Sequence, residues 1–524
     1  MTGLLTRLDD LLRCGDPDRP AVTWKDETLT YAELSGRVAA AAAGLRRLGV
    51  GRGDRVVVYL EKRLETVVAI LAASAAGAVF VPVNPVFKPP QVRYVLADCA
   101  AKVLVTTAER HRAMLCEPAE GPLEGPVEHV VLVGDYAAAP GLIPWSALCA
   151  TPGSPAAADG ALDGVLDGVI DIDVAAILYT SGSTGSPKGV VLSHRNLLVG
   201  AQSVASYLEH TSDDVVLSVL PLSFDAGLSQ VTTALVAGAH VVLVNYLLPR
   251  EVVRLCARHR VTALTCVPPL WQQLQGQRWP AEATASLRYF ANTGGRMPRP
   301  VLERLREIFP SARPYLMYGL TEAFRSTYLD PSEVDNRPDS IGKSIPNAEV
   351  LVVRPDGSPC EPGEHGEIVH RGALVALGYW NDPARTAERF RPFPPAGPAA
   401  YRGELAVWSG DVAYRDEDGF LYFVGRNDEM IKTSGYRVSP TEIEQAAYGT
   451  GLVGETVAFG VPDEVLGQYI VLVVGGECDT DTLAKALAVD LPKYMQPRRI
   501  EVLDELPRSG NGKFDRTEIR RRLA

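Results

Sequence analysis

A chain of 524 residues exceeds what one ordinary core can bury, and its length alone suggests roughly two to four domains. An apolar share of 46% beside 22% charged residues is that of a globular enzyme and excludes a disordered or fibrous chain. The formal charge of −11 argues against nucleic acid as the main partner, because counterion-release binding needs clustered lysine and arginine. Eight cysteines, at 14, 99, 116, 149, 256, 266, 360 and 478, form no CxxC pair, so they read as reduced thiols of a cytoplasmic protein with no zinc site.

Residues 1–14 set Arg7, Asp9, Asp10 and Arg13 among leucines and read as an amphipathic helix without the apolar core of a signal peptide. Residues 66–87 then run for 22 positions without a charge, long enough to span a bilayer. They are rich in Ala with one Gly, carry Pro82 and Pro85, and turn from helix-like to β-branched. A buried helix feeding a buried strand explains this texture, and no membrane association is expected. Helical runs at 31–47, 252–259 and 300–308 alternate with apolar strands at 55–60, 102–106, 129–133, 215–220 and 240–244. That alternation predicts α/β layers with largely parallel sheets. Residues 118–126 and 151–171, rich in Pro and Gly with Glu or Asp, read as surface loops.

After the apolar strand 174–178 comes Tyr179-Thr180-Ser181-Gly182-Ser183-Thr184-Gly185-Ser186-Pro187-Lys188-Gly189. Such a loop suits phosphate: glycine brings backbone N–H groups close to an anion, Ser and Thr hydroxyls add neutral donors, and Lys188 adds charge. In a Walker loop the second glycine precedes lysine directly; here Ser186-Pro187 intervene, which disfavours a P-loop kinase or GTPase. His194 is expected to cap the helix starting near Asn196 rather than to act as a base. The texture breaks near Arg426, where the strand 419–424 gives way to a compact segment that ends in the basic helix 517–523.

The loop at Thr180 to Lys188 resembles the signature loop of the AMP-forming adenylating enzymes: acyl-CoA synthetases, amino-acid adenylation domains of nonribosomal peptide synthesis, and firefly luciferase. Tyr318-Gly319-Leu320-Thr321-Glu322, Ser409-Gly410-Asp411, Gly425-Arg426-Asn427-Asp428, Ile431-Lys432-Thr433-Ser434-Gly435-Tyr436-Arg437-Val438 and Pro507-Arg508-Ser509-Gly510-Asn511-Gly512-Lys513 follow in that family's order and approximate spacing. The resemblance covers nearly the whole chain, about 29–513. It implies an α/β fold with a large N-terminal adenylate-forming domain of layered subdomains, 1–426, and a smaller mobile α+β lid, 427–524, hinged at Asp428.

It also implies the site. ATP and Mg²⁺ would be the cofactors. Lys513 would bridge the carboxylate and phosphate oxygens, supplying charge along the line of attack. Glu322 would hold Mg²⁺ on the phosphates, with Thr184 a further metal contact and Thr321 nearby. ATP would meet Thr180, Ser181, Gly182, Ser183, Thr184, Gly185 and Lys188; Asp411 and Arg426 would take the ribose; Gly294, Gly295, Arg296, Met317, Tyr318 and Gly319 would form the adenine slot, with the Tyr318 ring on the base. Gly435, with Lys432 beside it, would leave the tunnel open for a phosphopantetheine thiol.

Asp225, in Pro221-Leu222-Ser223-Phe224-Asp225-Ala226-Gly227, sits where acyl-CoA synthetases of this family usually carry a ring and amino-acid adenylation domains an aspartate for the substrate ammonium. A buried carboxylate is costly unless paired, so the substrate is expected to bring the cation; the alternative is a helix N-cap. The pocket would be lined by Ala226, Ser229, Cys266, Ala291, Thr293, Met317, Gly319, Arg325 and Ser326, too small and polar for a long fatty tail. Arg325 has two placements. Directed inward, it would read a second anion and favour a dicarboxylic or β-amino dicarboxylic substrate. Directed outward, the working expectation, it would brace a loop through Asp330 or Glu333, leaving a small neutral amino acid.

The expected activity is amino-acid adenylation followed by transfer to a free-standing acyl or peptidyl carrier protein in natural-product biosynthesis, since no carrier or condensation domain is recognised in the chain. The alternatives are a short- or medium-chain acyl-CoA synthetase using coenzyme A and, with Lys513, Glu322 and Asp411 all in place against it, a non-catalytic binding module.

Overall fold

The helix Leu64–Ala75 and the strand Val79–Pro82 account for the uncharged run at 66–87. Every residue of that helix except Glu65 is buried, as are all four strand residues. Burying one Val, Leu or Ile side chain is worth about 1.5–3 kcal/mol, so a helix apolar all round is driven into a protein core and needs no bilayer. Among the described residues no helix is long and apolar enough to cross a membrane. The computed structural model describes residues 4–116, 127–135, 140–150, 168–180, 187–393, 404–426, 429–433, 436–463, 466–510 and 512–523.

Two large sheets carry the N-terminal part, one of nine strands and one of eight among the described residues. In the first, Val215–Ser218, His240–Leu243, Ala263–Cys266, Tyr289–Asn292 and Arg313–Tyr318 run parallel. In the second, Arg55–Tyr59 lies between Val79–Pro82 and Val103–Thr107, again parallel, and Val174–Thr180 pairs antiparallel with Lys188–Ser193. The helices Leu64–Ala75, His194–Tyr207 and Asp225–Val236 lie between the sheets: their side chains share one apolar cluster with Val56 and Val58 of one sheet and Val216, Val241 and Ala291 of the other. Sandwiched layers of this kind explain why the strands read as continuous apolar runs.

Local signals set the element ends. The helix Tyr31–Arg47 opens on a capping box, in which the Thr30 side chain accepts from the Glu33 N–H at 3.2 Å and Glu33 Oε2 accepts from the Thr30 N–H at 2.8 Å. The N-terminal segment is a short 3-10 helix, Leu8–Arg13. An antiparallel sheet follows, in which Leu405–Arg415 pairs with Gly366–Gly372 and Leu421–Arg426.

Beyond Arg426 the chain builds its own cores. Ile443, Leu472 and Leu483 belong to one cluster, and Val471, Leu506 and Ile519 to another, on the two sides of the sheet formed by Glu455–Asp463, Gly467–Gly475 and Arg499–Leu503. The helices Pro440–Gly449 and Thr480–Asp490 contribute to the first and Arg516–Leu523 to the second. The result is a large N-terminal domain with a smaller α+β one after it.

Candidate active site

The parallel strands of the nine-stranded sheet deliver most of the expected substrate positions from their carboxyl ends, where ligands bind in open α/β sheets. Cys266 ends one strand, Thr293 follows the next, and Met317 and Tyr318 close a third. Ala226, Ser229, Cys266, Ala291, Thr293, Met317, Arg325 and Ser326 are all buried. The Thr293 N–H donates to the Cys266 carbonyl at 3.1 Å, tying two strand ends together. Burial pushes the Cys266 thiol well above its ordinary pKa, so it is a small apolar wall.

Asp225 opens the helix Asp225–Val236 but is not its N-cap, a position held by Phe224 with no side-chain bond. The helix can start there because of Gly227, where a Cβ would lie 1.9 Å from the Pro221 carbonyl oxygen. The expected outward placement of Arg325 is not found. Its Nη1 donates to Asp225 Oδ2 at 3.0 Å and to the Phe324 carbonyl at 2.8 Å, while Glu333 pairs with Arg337 and Asp330 accepts from Ser332. Asp225 and Arg325 are 3% and 2% exposed.

The backbone turns Arg325 inward. Phe324 stands at φ 58°, ψ −52°, and the Arg325 N–H closes a tight turn onto the Ala323 carbonyl at 2.6 Å. Such an outlier costs about 1–3 kcal/mol and persists only where packing enforces it. Here the buried Phe324 ring fills the space over Gly200, where a Cβ would lie 2.5 Å from Phe324 Cδ1. The protein thus supplies Asp225 with a counter-charge, contrary to the expectation that the substrate alone would do so. The pair is incomplete, since Asp225 Oδ1 and Arg325 Nε are buried without a hydrogen-bond partner among the described residues. An unmet buried polar group costs about 1–3 kcal/mol.

Near the start of the same turn, Lys188 Nζ donates to Glu322 Oε1 at 2.8 Å and to the Tyr379 hydroxyl at 3.0 Å, and that hydroxyl donates to the same Glu322 oxygen at 2.6 Å. Burial acts to raise the pKa of Glu322, but the charge of Lys188 and these hydrogen bonds outweigh it and hold the carboxyl below its ordinary value. Thr321 is buried beside it. Among the described residues no three His, Cys, Asp or Glu side chains converge as a metal cluster. A single ionised carboxylate of this kind fits a Mg²⁺ ion that draws its other ligands from phosphates and water.

Asp411 accepts from the Tyr318 hydroxyl at 2.6 Å through Oδ2, and Arg426 Nε stands 3.7 Å from Oδ1. Burial raises the pKa of Asp411 against the pull of Arg426 and Tyr318. Tyr318 therefore serves Asp411 through its hydroxyl, with its ring centred 6.0 Å from that of Phe423. Arg296 pairs with Asp339 at 2.7 Å.

Lys513 reaches this cleft from the small domain. Its loop closes on itself, with the Ser509 N–H donating to the Lys513 carbonyl at 2.7 Å and the Gly512 N–H to the Ser509 carbonyl at 2.9 Å. Gly510 sits against the large domain, where a Cβ would lie 2.6 Å from Asn84 Nδ2. Lys513 Nζ stands 5.3 Å from the centre of the Phe224 ring, and its Cε would be 3.1 Å from a Cβ at Gly294, itself at φ 76°. Removal from water lowers the pKa of Lys513, partly offset by Asp225 and Asp411. The lysine of the small domain thus stands beside Phe224 and Gly294 of the large one.

Ser181, Gly182, Ser183, Thr184, Gly185, Asp428 and Gly435 lie outside the described residues, as does the side chain of Lys432. The neighbouring Thr180 is described, and its Oγ1 is buried without a partner among the described residues. His194 does not cap its helix: Ser193 does, accepting from the Asn196 N–H, while the buried His194 takes the Leu8 N–H on Nδ1 at 3.2 Å. Two residues of the cleft region escaped sequence reasoning. Tyr379 bonds partners 57 and 191 positions away, so no local pattern marks it. Lys62, fully buried, donates to the Ser218 and Leu220 carbonyls at 2.7 and 3.0 Å and pins the chain leading into Asp225; a charged residue next to a long apolar run was its only signal.

Residues 14–380 match the family model described as AMP-binding enzyme, and 442–513 match the AMP-binding enzyme C-terminal domain. The chain is 34% identical over 515 residues to a feruloyl-CoA synthase of Amycolatopsis, covering 97% of this chain and 96% of that protein. It is 36% identical over 516 residues to an L-proline–[L-prolyl-carrier protein] ligase of Streptomyces coelicolor, covering 95% and 92%. Its fold matches that of an anthranilate CoA ligase in complex with anthranoyl-AMP, with a TM-score of 0.85 over 98% of this chain and 97% of that one at 23% identity. The o-succinylbenzoate coenzyme A synthetase of Bacillus subtilis, in complex with ATP and magnesium, matches with a TM-score of 0.81 over 98% and 99% at 26% identity. With both family models matched in order along a large and a small domain that meet at Lys513, the chain belongs to the AMP-binding enzyme family and is an AMP-forming acid–thiol ligase.

Proposed function

We propose that this ligase activates an amino acid with ATP and Mg²⁺ and passes it to the phosphopantetheine thiol of a free-standing carrier protein, in natural-product biosynthesis. The observation that carries the reading is Asp225 Oδ1, a carboxylate oxygen buried beside the cleft lysine with no donor among the described residues. A substrate ammonium supplies that donor. The relative that loads proline on a carrier protein supports the same assignment.

In the first step a carboxylate oxygen of the substrate attacks the α-phosphorus of ATP, the bond to the β-phosphate bridging oxygen breaks, and pyrophosphate leaves. Lys513 stabilises the two approaching anions, Asp411 with Arg426 holds the ribose, and Lys188 with Thr180 faces the phosphates. Glu322, with Thr184 by its motif, would hold Mg²⁺, which would neutralise phosphate charge. In the second step the thiol, losing its proton, attacks the acyl carbon and AMP leaves. The lid, 427–524, turns about Asp428 between the steps, and Gly435 with Lys432 lies by the thiol path; these roles rest on their motifs.

A second reading, an amine-free acid carried to coenzyme A, is favoured by the counter-charge that Arg325 already gives Asp225 and by the feruloyl-CoA synthase relative. ATP–pyrophosphate exchange with amino acids and with matched amine-free acids, followed by mass analysis of the thioester on holo carrier protein and on coenzyme A, decides between them. Exchange only with amine-free acids and thioester only on coenzyme A would overturn the first reading.

A further inference from the structure

Asp225 and Arg325 bury opposite charges in monodentate contact, although a guanidinium fork can serve both oxygens of a carboxylate at once. Arg325 instead spends the second bond of Nη1 on the Phe324 carbonyl, in the strained turn that drives it inward. The geometry thus withholds one arm from each partner, leaving Oδ1 as a buried acceptor and Nε as a buried donor. A simple neutral amino acid brings an ammonium for Oδ1 and nothing for Nε.

The charges point the same way. During adenylation the reacting carboxylate and the α-phosphate are answered by Lys513 together with the cations on the phosphate side. The remaining pocket then holds one anion, Asp225, and one cation, Arg325. A substrate ammonium adds a second cation beside a pair that is already neutral, whereas a substrate with an ammonium and a second carboxylate leaves the site neutral and alternates charge along four groups. Resting on the amino-acid reading above, we propose that the preferred substrate is an amino dicarboxylic acid whose ammonium donates to Asp225 Oδ1 and whose second carboxylate accepts from Arg325 Nε.

The test is ATP–pyrophosphate exchange with aspartate, glutamate and β-amino dicarboxylates against asparagine, alanine and succinate, in wild type, Arg325→Lys, Arg325→Met and the double variant Asp225→Asn/Arg325→Met. The double variant guards against misfolding, because it leaves no unpaired buried charge, and melting curves verify the fold of each. Wild type should prefer one amino dicarboxylate over its neutral counterpart by about tenfold or more in kcat/KM, Arg325→Lys should keep part of that ratio, and removal of the cation in either Met variant should abolish or invert it. A neutral amino acid preferred by wild type, or a ratio unchanged in the Met variants, overturns this inference and leaves the amino-acid reading standing. A preference for succinate or other amine-free acids overturns both.

Discussion

Tyr318 and Asp411, 93 residues apart in the chain, are joined by a 2.6 Å hydrogen bond from the phenol to the carboxylate. The bond fixes one oxygen of Asp411 and leaves the other beside Arg426, where the proposed ribose contact would form. Removing a hydrogen bond to a charged group costs about 1.5–3 kcal/mol, so Tyr318→Phe should raise KM for ATP about tenfold or more with little change in KM for the acid. Because the pKa of Asp411 is raised, ATP binding should also weaken on acidification at a pH above the ordinary aspartate value of about 3.9. Calorimetric titration of ATP across pH measures both effects, and an unchanged KM would show that Tyr318 acts only through its ring.

Lys513 must be protonated to bridge two anions, and its lowered pKa means that the charge is lost at lower pH than in an ordinary lysine, near 10.4. Pyrophosphate exchange should therefore fall on an alkaline limb centred below that value, and Lys513→Ala should cut exchange by orders of magnitude and remove the limb. ATP binding should survive in that variant. Near-normal exchange in Lys513→Ala contradicts the assignment.

Tyr379→Phe removes the hydroxyl that bonds both Lys188 and Glu322. Loss of a bond to a carboxylate at about 1.5–3 kcal/mol predicts a magnesium requirement for ATP binding raised about tenfold or more. Calorimetry of ATP binding over a magnesium series reads this directly, without turnover. KM for the acid should stay put, and a shift there with none in the magnesium series would place Tyr379 in the acid pocket instead.

Four histidines are held neutral by burial, His194, His210 and His240 with pKa values lowered to about 4 and His370 to about 3. A folded-state pKa below the unfolded one of about 6.5 gives stability that is complete above pH 6.5 and is lost as pH falls toward 4, because the unfolded chain binds the proton first. Each group subtracts up to about 1.4 kcal/mol per pH unit in that window. Melting temperatures at pH 7.5 and 5.0 should differ strongly, and His194→Asn, which keeps an acceptor for the Leu8 N–H, should reduce the difference. Equal melting temperatures would contradict burial as the cause.

What the sequence made legible followed short-range rules. The run 31–47 became the helix Tyr31–Arg47 because its cap lies three residues from its partner, and the apolar runs at 55–60, 129–133 and 240–244 became strands because both faces of a parallel sheet are buried. The motifs likewise singled out Lys188, Glu322, Asp411 and Lys513, of which the fold pairs Lys188 with Glu322. Orientation was not legible. Whether Arg325 turned toward Asp225 or away depended on a strained turn at Phe324 and on the absence of a side chain at Gly200, which are features of packing between distant elements. Tyr379 and Lys62 were hidden for the same reason, and His194 was misjudged because its partner is the N–H of Leu8, 186 residues earlier.

The bond between Lys188 and Glu322 has a bearing on the order in which ligands arrive. For Glu322 to take a bare divalent cation, Lys188 would be stripped of its carboxylate and left as a repelled ammonium beside the newcomer. When metal and triphosphate come together, Glu322 exchanges one cation for another while Lys188 exchanges one anion for another, and neither is stranded at any point. With Glu322 as the metal ligand proposed above, the latch would pass over free magnesium and yield to the nucleotide complex, so that the cleft would be charged and discharged as a unit in every turnover.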